Sequence, residues 1–248
     1  MRRLIIWLLA AVLLLCGCGK PEPPETETVT EAITEAVSEA PTEAATAVPT
    51  ELPTELPETE PTEPPEDDDL VRVRDFIPGI REELAYATEE NFTGERIYDF
   101  YNAYLRYGTV KKLAAACDEL ESLGLGILIW DGFRPVSAQA ALWEICPDPR
   151  YVSHPVTGTR AHCRGNAVDL TLIDLETGEK LLMPTDFDDF SDRADRDYSD
   201  CSKEAAENAR LLERIMEKHG FKPYRAEWWH YTDTDSYEVE EEFQPPVG

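Results

Sequence analysis

The order of apolar and polar positions along residues 109–231 spells out alternating helical and extended segments. Thr109 is placed to cap a helix whose apolar residues Val110, Leu113, Cys117 and Leu120 share one face, and Gly124 ends it. The short apolar run Ile127-Leu-Ile-Trp130 predicts a buried strand. Asp131-Gly-Phe-Arg134-Pro135 then turns the chain, and Ser137 can cap a second helix that runs to Ile145. Pro147 to Arg160 is rich in loop-forming residues. Asn166 to Leu172 alternates strictly. Val168, Leu170 and Leu172 face one side, Ala167, Asp169 and Thr171 the other, so a half-buried strand is expected with Asp169 on its polar face. Ser202 can cap a helix to His219 that Gly220 stops, and Ala226 to Tyr231 reads as a last aromatic strand. Helices flanking a small sheet make an α+β domain.

The segments before this domain have a different character. Arg2 and Arg3 precede an apolar run, Leu4 to Leu15, shorter than the roughly 20 residues a spanning helix needs. Together with the junction Leu15-Cys16-Gly17-Cys18, this reads as a lipoprotein signal peptide over residues 1–18, with the lipid on Cys18. An ordinary cleaved signal or an uncleaved anchor is the alternative. The expected location is the bacterial cell membrane, lipid-anchored, with the domain on the extracytoplasmic side.

Residues 19–69 repeat Thr, Glu and Pro without an aromatic residue, the composition of a disordered tether. From Lys20 to Asp69 there are thirteen Glu and three Asp against one Lys, about −15 of the chain's net −28. Such acidity argues against nucleic-acid binding. Residues 70–248 suit one globular domain. They hold Cys117, Cys146, Cys163 and Cys201. Export permits disulfides, and Cys146–Cys163, flanking one long loop, is the favoured pair. No Cys-x-x-Cys spacing suggests a thiolate metal cluster.

The candidate chemistry lies in two stretches. Glu227-Trp-Trp-His230-Tyr places a carboxylate and an imidazole beside an apolar wall. His162-Cys-Arg-Gly-Asn-Ala-Val-Asp169 adds a second imidazole and carboxylate, with Gly165 between them to let the backbone bend. His162, Asp169 and His230 make a donor set suited to one zinc ion with an open position for water, although nitrogen and oxygen ligands admit other divalent ions. A water in such a site reaches a pKa of roughly 7, and Glu227 is placed to take its proton. On a regular strand, residues three apart face opposite sides, so Glu227 and His230 require a bend between them. His154 is the rival ligand. His219, at a predicted helix C-terminus, is assigned a structural role.

These residues resemble the zinc D-Ala-D-Ala metallopeptidases, and within them the D-alanyl-D-alanine dipeptidases of the vancomycin-resistance type. Five pieces occur in family order from Tyr86 to Tyr231: Tyr86-Ala-Thr-Glu-Glu-Asn-Phe-Thr-Gly94, Trp130-Asp-Gly-Phe-Arg-Pro135, the His162–Leu172 stretch, Phe187-Asp188-Asp-Phe190 and Glu227-Trp-Trp-His-Tyr231. The resemblance implies a small, mostly antiparallel sheet flanked by helices, as in hedgehog-like domains. It implies one Zn²⁺ per chain on His162, Asp169 and His230, with Glu227 as catalytic base and Arg134 steadying the tetrahedral intermediate. Tyr86 and Asp188 match residues of the substrate pocket, where Asp188 could hold a free ammonium.

The family's serine two positions before the first zinc histidine is Arg160 here. Either Thr159 compensates for it or Arg160 meets a substrate carboxylate. The implied activity is hydrolysis of D-Ala-D-Ala. The alternatives are a surface D,D-carboxypeptidase that trims terminal D-Ala from peptidoglycan stem peptides, and a non-catalytic zinc-containing wall-binding module.

Overall fold

The computed structural model describes residues 63–247. The expected signal peptide, lipidated Cys18 and most of the expected tether lie outside these residues. Among the described residues no helix is long and apolar enough to cross a membrane.

Among the described residues seven strands occur, β1 Leu70–Arg72, β2 Arg81–Glu82, β3 Tyr104–Arg106, β4 Leu125–Asp131, β5 Ala167–Asp174, β6 Phe221–Pro223 and β7 His230–Asp233. The helices are α1 Val73–Phe76, α2 Tyr107–Glu121, α3 Val136–Ile145, the single turn α4 Ala161–Arg164, and α5 Lys203–Lys218. The main sheet has the order β2-β4-β5-β7-β6, and only the β2–β4 pair is parallel. A separate antiparallel ribbon pairs β1 with β3. The expected α+β class with a mostly antiparallel sheet is the architecture found.

Helices α2 and α5 lie against each other and against the sheet. In α2, Val110, Leu113 and Leu120 are fully buried and Cys117 is partly so. The helix begins earlier than Thr109. Thr109 is buried in its first turn and donates its hydroxyl to Asp233 Oδ2 at 2.8 Å, so it serves as a tertiary tie and not as the cap. Ser137 likewise falls inside α3, which Pro135 precedes, a residue whose fixed φ suits a helix start. The α5 boundaries follow the sequence signals. The Ser202 hydroxyl accepts from Ala205 N–H at 3.1 Å, a cap worth about 1 kcal/mol, and Gly220 takes a left-handed φ of 87° beyond the C-terminus.

Strand β5 departs from the half-buried expectation. Ala167 through Ile173 are all buried, on both faces of the strand alike. The predicted strand from Ala226 is shorter too. Glu227, Trp228 and Trp229 form a turn, and β7 starts only at His230. The favoured Cys146–Cys163 bridge does not form, and Cys117, Cys146, Cys163 and Cys201 are all free thiols. Contacts with the body begin before Leu70. Gly108 N–H donates to Asp67 O at 3.0 Å and Tyr107 N–H to Asp69 O at 2.8 Å.

Candidate metal centre

Three neighbouring strands place the site in one row. Asp131 of β4 lies opposite Asp169 of β5, and Asp169 lies opposite His230 of β7. Directly paired residues share a sheet face, so the three side chains emerge together. His162 reaches the row from α4. That turn is entered through Arg160 at φ 50° and left through Gly165 at φ 73°, where a Cβ would come within 2.5 Å of Leu70 Cδ2. Gly165 thus supplies the bend that brings His162 back over the strand carrying Asp169.

The ligand atoms converge. His230 Nδ1 is 2.9 Å from Asp169 Oδ1, His162 Nε2 is 3.3 Å from Asp169 Oδ2, and the two imidazole nitrogens are 3.2 Å apart. Each histidine is oriented through its other nitrogen. His162 Nδ1 faces the Gly132 carbonyl at 2.8 Å, and a carbonyl only accepts, so Nδ1 carries the hydrogen and Nε2 presents a lone pair to the cluster. His230 Nε2 faces the Thr232 hydroxyl at 3.1 Å. An anionic carboxylate and imidazole lone pairs aimed at one point make a donor set that a divalent cation satisfies. All three ligand atoms lie within 4.8 Å of one another, and the cluster is geometrically consistent with one zinc ion.

The surrounding charges follow. Asp169 is buried, which alone would raise its pKa, but His162 and His230 outweigh burial and hold it below the ordinary range. Burial lowers His230 despite Asp169 beside it, whereas His162, also buried, is raised by Asp169 and Asp131. Glu227 occupies the turn before β7. Its carbonyl accepts from His230 N–H at 3.3 Å, and this turn is the bend that lets both side chains face the cluster. The Glu227 carboxylate is 3.9 Å from His230 Nδ1. Burial, then Asp169 and Asp188, push it well above the usual carboxylate range.

Arg134 is buried and held from three sides. It donates Nε and Nη2 to Asp131 Oδ2 at 3.1 and 2.6 Å and Nη1 to Gln139 Oε1 at 3.0 Å, and its guanidinium sits 5.1 Å from the Tyr86 ring centroid. Tyr86, also buried, donates its hydroxyl to Asp188 Oδ2 at 2.8 Å. Burial and the charge of Asp169 raise the Asp188 carboxyl to about 7.

Arg160 stands somewhat apart. Its guanidinium is 3.7 Å from Glu241, and its Nε is buried without a hydrogen-bond partner. The rival His154 lies outside the cluster and accepts from Val156 and Thr157 N–H at 3.1 and 3.2 Å. His219 has the expected structural role, 2.7 Å from Glu119.

Sequence reasoning did not single out Asp131, Gln139, Tyr98 or Thr232. Tyr98 donates to Asp131 Oδ1 at 2.8 Å. Only Asp131 carried a usable signal, an acid three residues before an arginine in a turn.

A His/Asp/His cluster with a further carboxylate beside it is the donor set of a zinc hydrolase site. A family model described as "D-ala-D-ala dipeptidase" matches residues 66–245. The D-alanyl-D-alanine dipeptidase of Escherichia coli K12 is 37% identical over 163 residues, covering 66% of this chain and 83% of that protein. The protein of the same name from Enterococcus faecalis is 35% identical over 178 residues, covering 63% of this chain and 87% of the relative. Among solved structures, the LdcB LD-carboxypeptidase is similar with a TM-score of 0.39 and 17% identity, over 68% of this chain and 69% of that one. The chain belongs to the M15 family of zinc D-Ala-D-Ala peptidases.

Proposed function

We propose that this protein is a D-alanyl-D-alanine dipeptidase, hydrolysing the bond between the two D-alanines. His162, Asp169 and His230 would hold the zinc, which when bound supplies a Lewis acid and lowers the pKa of water. Glu227, 3.9 Å from His230 Nδ1, takes a proton from the attacking water and returns it to the departing amine. Arg134, fixed by Asp131 and Gln139, presents a preorganised positive charge to the oxyanion. Asp188 and Tyr86 receive the ammonium end of the substrate, and Arg160 its carboxylate.

The observation that carries this reading is the 2.8 Å Tyr86–Asp188 pair. It holds a carboxylate at the edge of the cluster, near enough to Glu227 for its charge to raise the Glu227 pKa. A surface D,D-carboxypeptidase acting on peptidoglycan stem peptides is the second reading, favoured by the open cleft beyond Asp188. A wall-binding module without catalysis needs neither Glu227 nor Arg134, and both stand beside the metal ligands. We also place the protein at the bacterial membrane, anchored through a lipid on Cys18, with the domain outside.

Free D-Ala released from D-Ala-D-Ala and from a pentapeptide ending in D-Ala-D-Ala, by the zinc-loaded full chain, separates the readings. Dipeptide cleavage alone supports the dipeptidase, and pentapeptide cleavage supports the carboxypeptidase. Release from neither, with zinc bound, removes both. Labelled palmitate entering the wild type but not Cys18→Ala tests the anchor.

A further inference from the structure

The stretch from Tyr224 to His230 carries both Glu227 and a metal ligand. It lies beyond the last paired residues of the β6–β7 hairpin, Pro223 and Tyr231. Its middle is held by packing. Trp228 and Trp229 are buried, and the Trp228 indole N–H donates to the Thr185 hydroxyl at 2.9 Å. Its own backbone bonds are long. Tyr224 N–H reaches His230 O at 3.1 Å, Glu227 N–H reaches Tyr224 O at 3.3 Å, and His230 N–H reaches Glu227 O at 3.3 Å. Bonds of that length alone fix the two ends of the stretch weakly.

Arg196 closes the gap. Its side chain is only 6% exposed, and one planar group spans both ends. Nε donates to Tyr224 O at 2.8 Å and Nη2 to His230 O at 2.9 Å. Behind them, Nη1 donates to Glu213 Oε2 on α5 at 3.1 Å and to the Tyr231 hydroxyl at 3.1 Å. Glu213 is steadied in turn by the Tyr198 hydroxyl at 2.7 Å. The backbone beside Arg196 adds two more ties. Arg196 N–H donates to Arg225 O at 3.1 Å, and Ala194 O accepts from Trp228 N–H at 3.0 Å. The turn is thereby referred to α5. A lysine keeps the charge, but its single nitrogen lacks the fixed fork that meets two carbonyls and a carboxylate together.

We propose that Arg196 is a positioning residue for the metal centre. By bridging the carbonyls of Tyr224 and His230 it sets the place of the His230 ring as a ligand and of the Glu227 carboxylate beside it. Its effect on turnover rests on the peptidase reading, whereas its effect on zinc binding rests on the His/Asp/His cluster alone.

The test compares the full-length wild type with Arg196→Lys, Glu213→Gln and Leu212→Ala. Zinc Kd is measured by competition titration, and kcat and KM on D-Ala-D-Ala. In Arg196→Lys the zinc Kd is expected to rise about tenfold and kcat to fall by about 10–100-fold with KM nearly unchanged, the scale seen when the groups behind a metal ligand are lost. Leu212, fully buried on α5, reports what lost packing alone does. Leu212→Ala should lower Tm and leave Kd and kcat near wild type. Glu213→Gln loosens only the rear anchor and should raise Kd less than Arg196→Lys does. Combined with Arg196→Lys it should add little, because the two act through one contact.

A wild-type zinc Kd in folded Arg196→Lys, an equal rise in Leu212→Ala, or a change confined to KM each overturns the inference. If Arg196→Lys does not fold, Glu213→Gln decides, a raised Kd supporting the role and an unchanged one overturning it. If the wild type releases no D-Ala, the peptidase reading falls and the zinc Kd comparison still decides the role of Arg196.

Discussion

Asp131 and Arg134, three residues apart, form a buried pair in which one carboxylate oxygen accepts from both Nε and Nη2 of the guanidinium, at 3.1 and 2.6 Å. The arginine is therefore aimed before any substrate arrives. Asp131→Asn loses the charge while keeping the shape, and Arg134 is expected to drift. Misplacement of this kind costs about 100-fold in rate, so kcat should fall by that order while zinc content by elemental analysis stays at one per chain. An unchanged kcat would show that Arg134 does not depend on Asp131 for its position.

Glu227 lies beside His230 but is not one of the three converging ligands. Glu227→Gln should lower turnover of D-Ala-D-Ala by about 10²–10⁴-fold and leave zinc affinity nearly unchanged. Isothermal titration with zinc, run beside the kinetic assay, distinguishes a lost base from a lost ligand.

Chelation should abolish activity reversibly without unfolding the chain, because the aromatic and aliphatic core does not depend on the metal. Restoring zinc at about 100 times its Kd adds ~2.7 kcal/mol of stability. Calorimetry should record the gain as a higher Tm, and His230→Ala should remove it.

The Asp188 carboxyl is raised from 3.8 to about 7 in the fold. Because the folded state then binds the proton more tightly than the unfolded chain, the associated stability is complete below pH 3.8 and lost as pH rises through about 7. In the metal-free protein, Asp188→Asn should therefore gain ~1–3 kcal/mol over wild type between pH 5 and pH 8. Urea unfolding at the two pH values measures this, and a constant difference between the proteins would contradict it.

Burial pushes the thiols of Cys117 and Cys163 up to about 12 and about 11. At pH 8 both should resist iodoacetamide in the native protein and react once it is unfolded. Peptide mapping under non-reducing conditions should find neither joined to Cys146 or Cys201.

Much of this arrangement was legible in the chain. Ser202 and Gly220 bracket α5 because a cap and a left-handed stop act locally. The ligands were legible because histidine is scarce and Gly165 and the Trp pair mark their surroundings. Thr109 misled as a cap because the start of α2 is fixed from a distance, and Ser137 because Pro135 already sets the start of α3. The β1–β3 ribbon leads directly into α2, and Asp233 claims the Thr109 hydroxyl. The burial of Asp169 and Thr171 was hidden because their polar character and strict alternation read as a solvent face. Gln139, Tyr98 and Thr232 sit on ordinary elements, and only tertiary contact reveals their partners.

Gly132 joins the two halves of the centre through consecutive hydrogen bonds. Its N–H donates to Asp131 Oδ1 at 2.9 Å, and its carbonyl accepts from His162 at 2.8 Å. The carboxylate that aims Arg134 and the carbonyl that fixes the tautomer of a metal ligand thus move as one rigid unit. A backbone shift at Gly132 would therefore displace both the acid that aims Arg134 and the carbonyl behind His162.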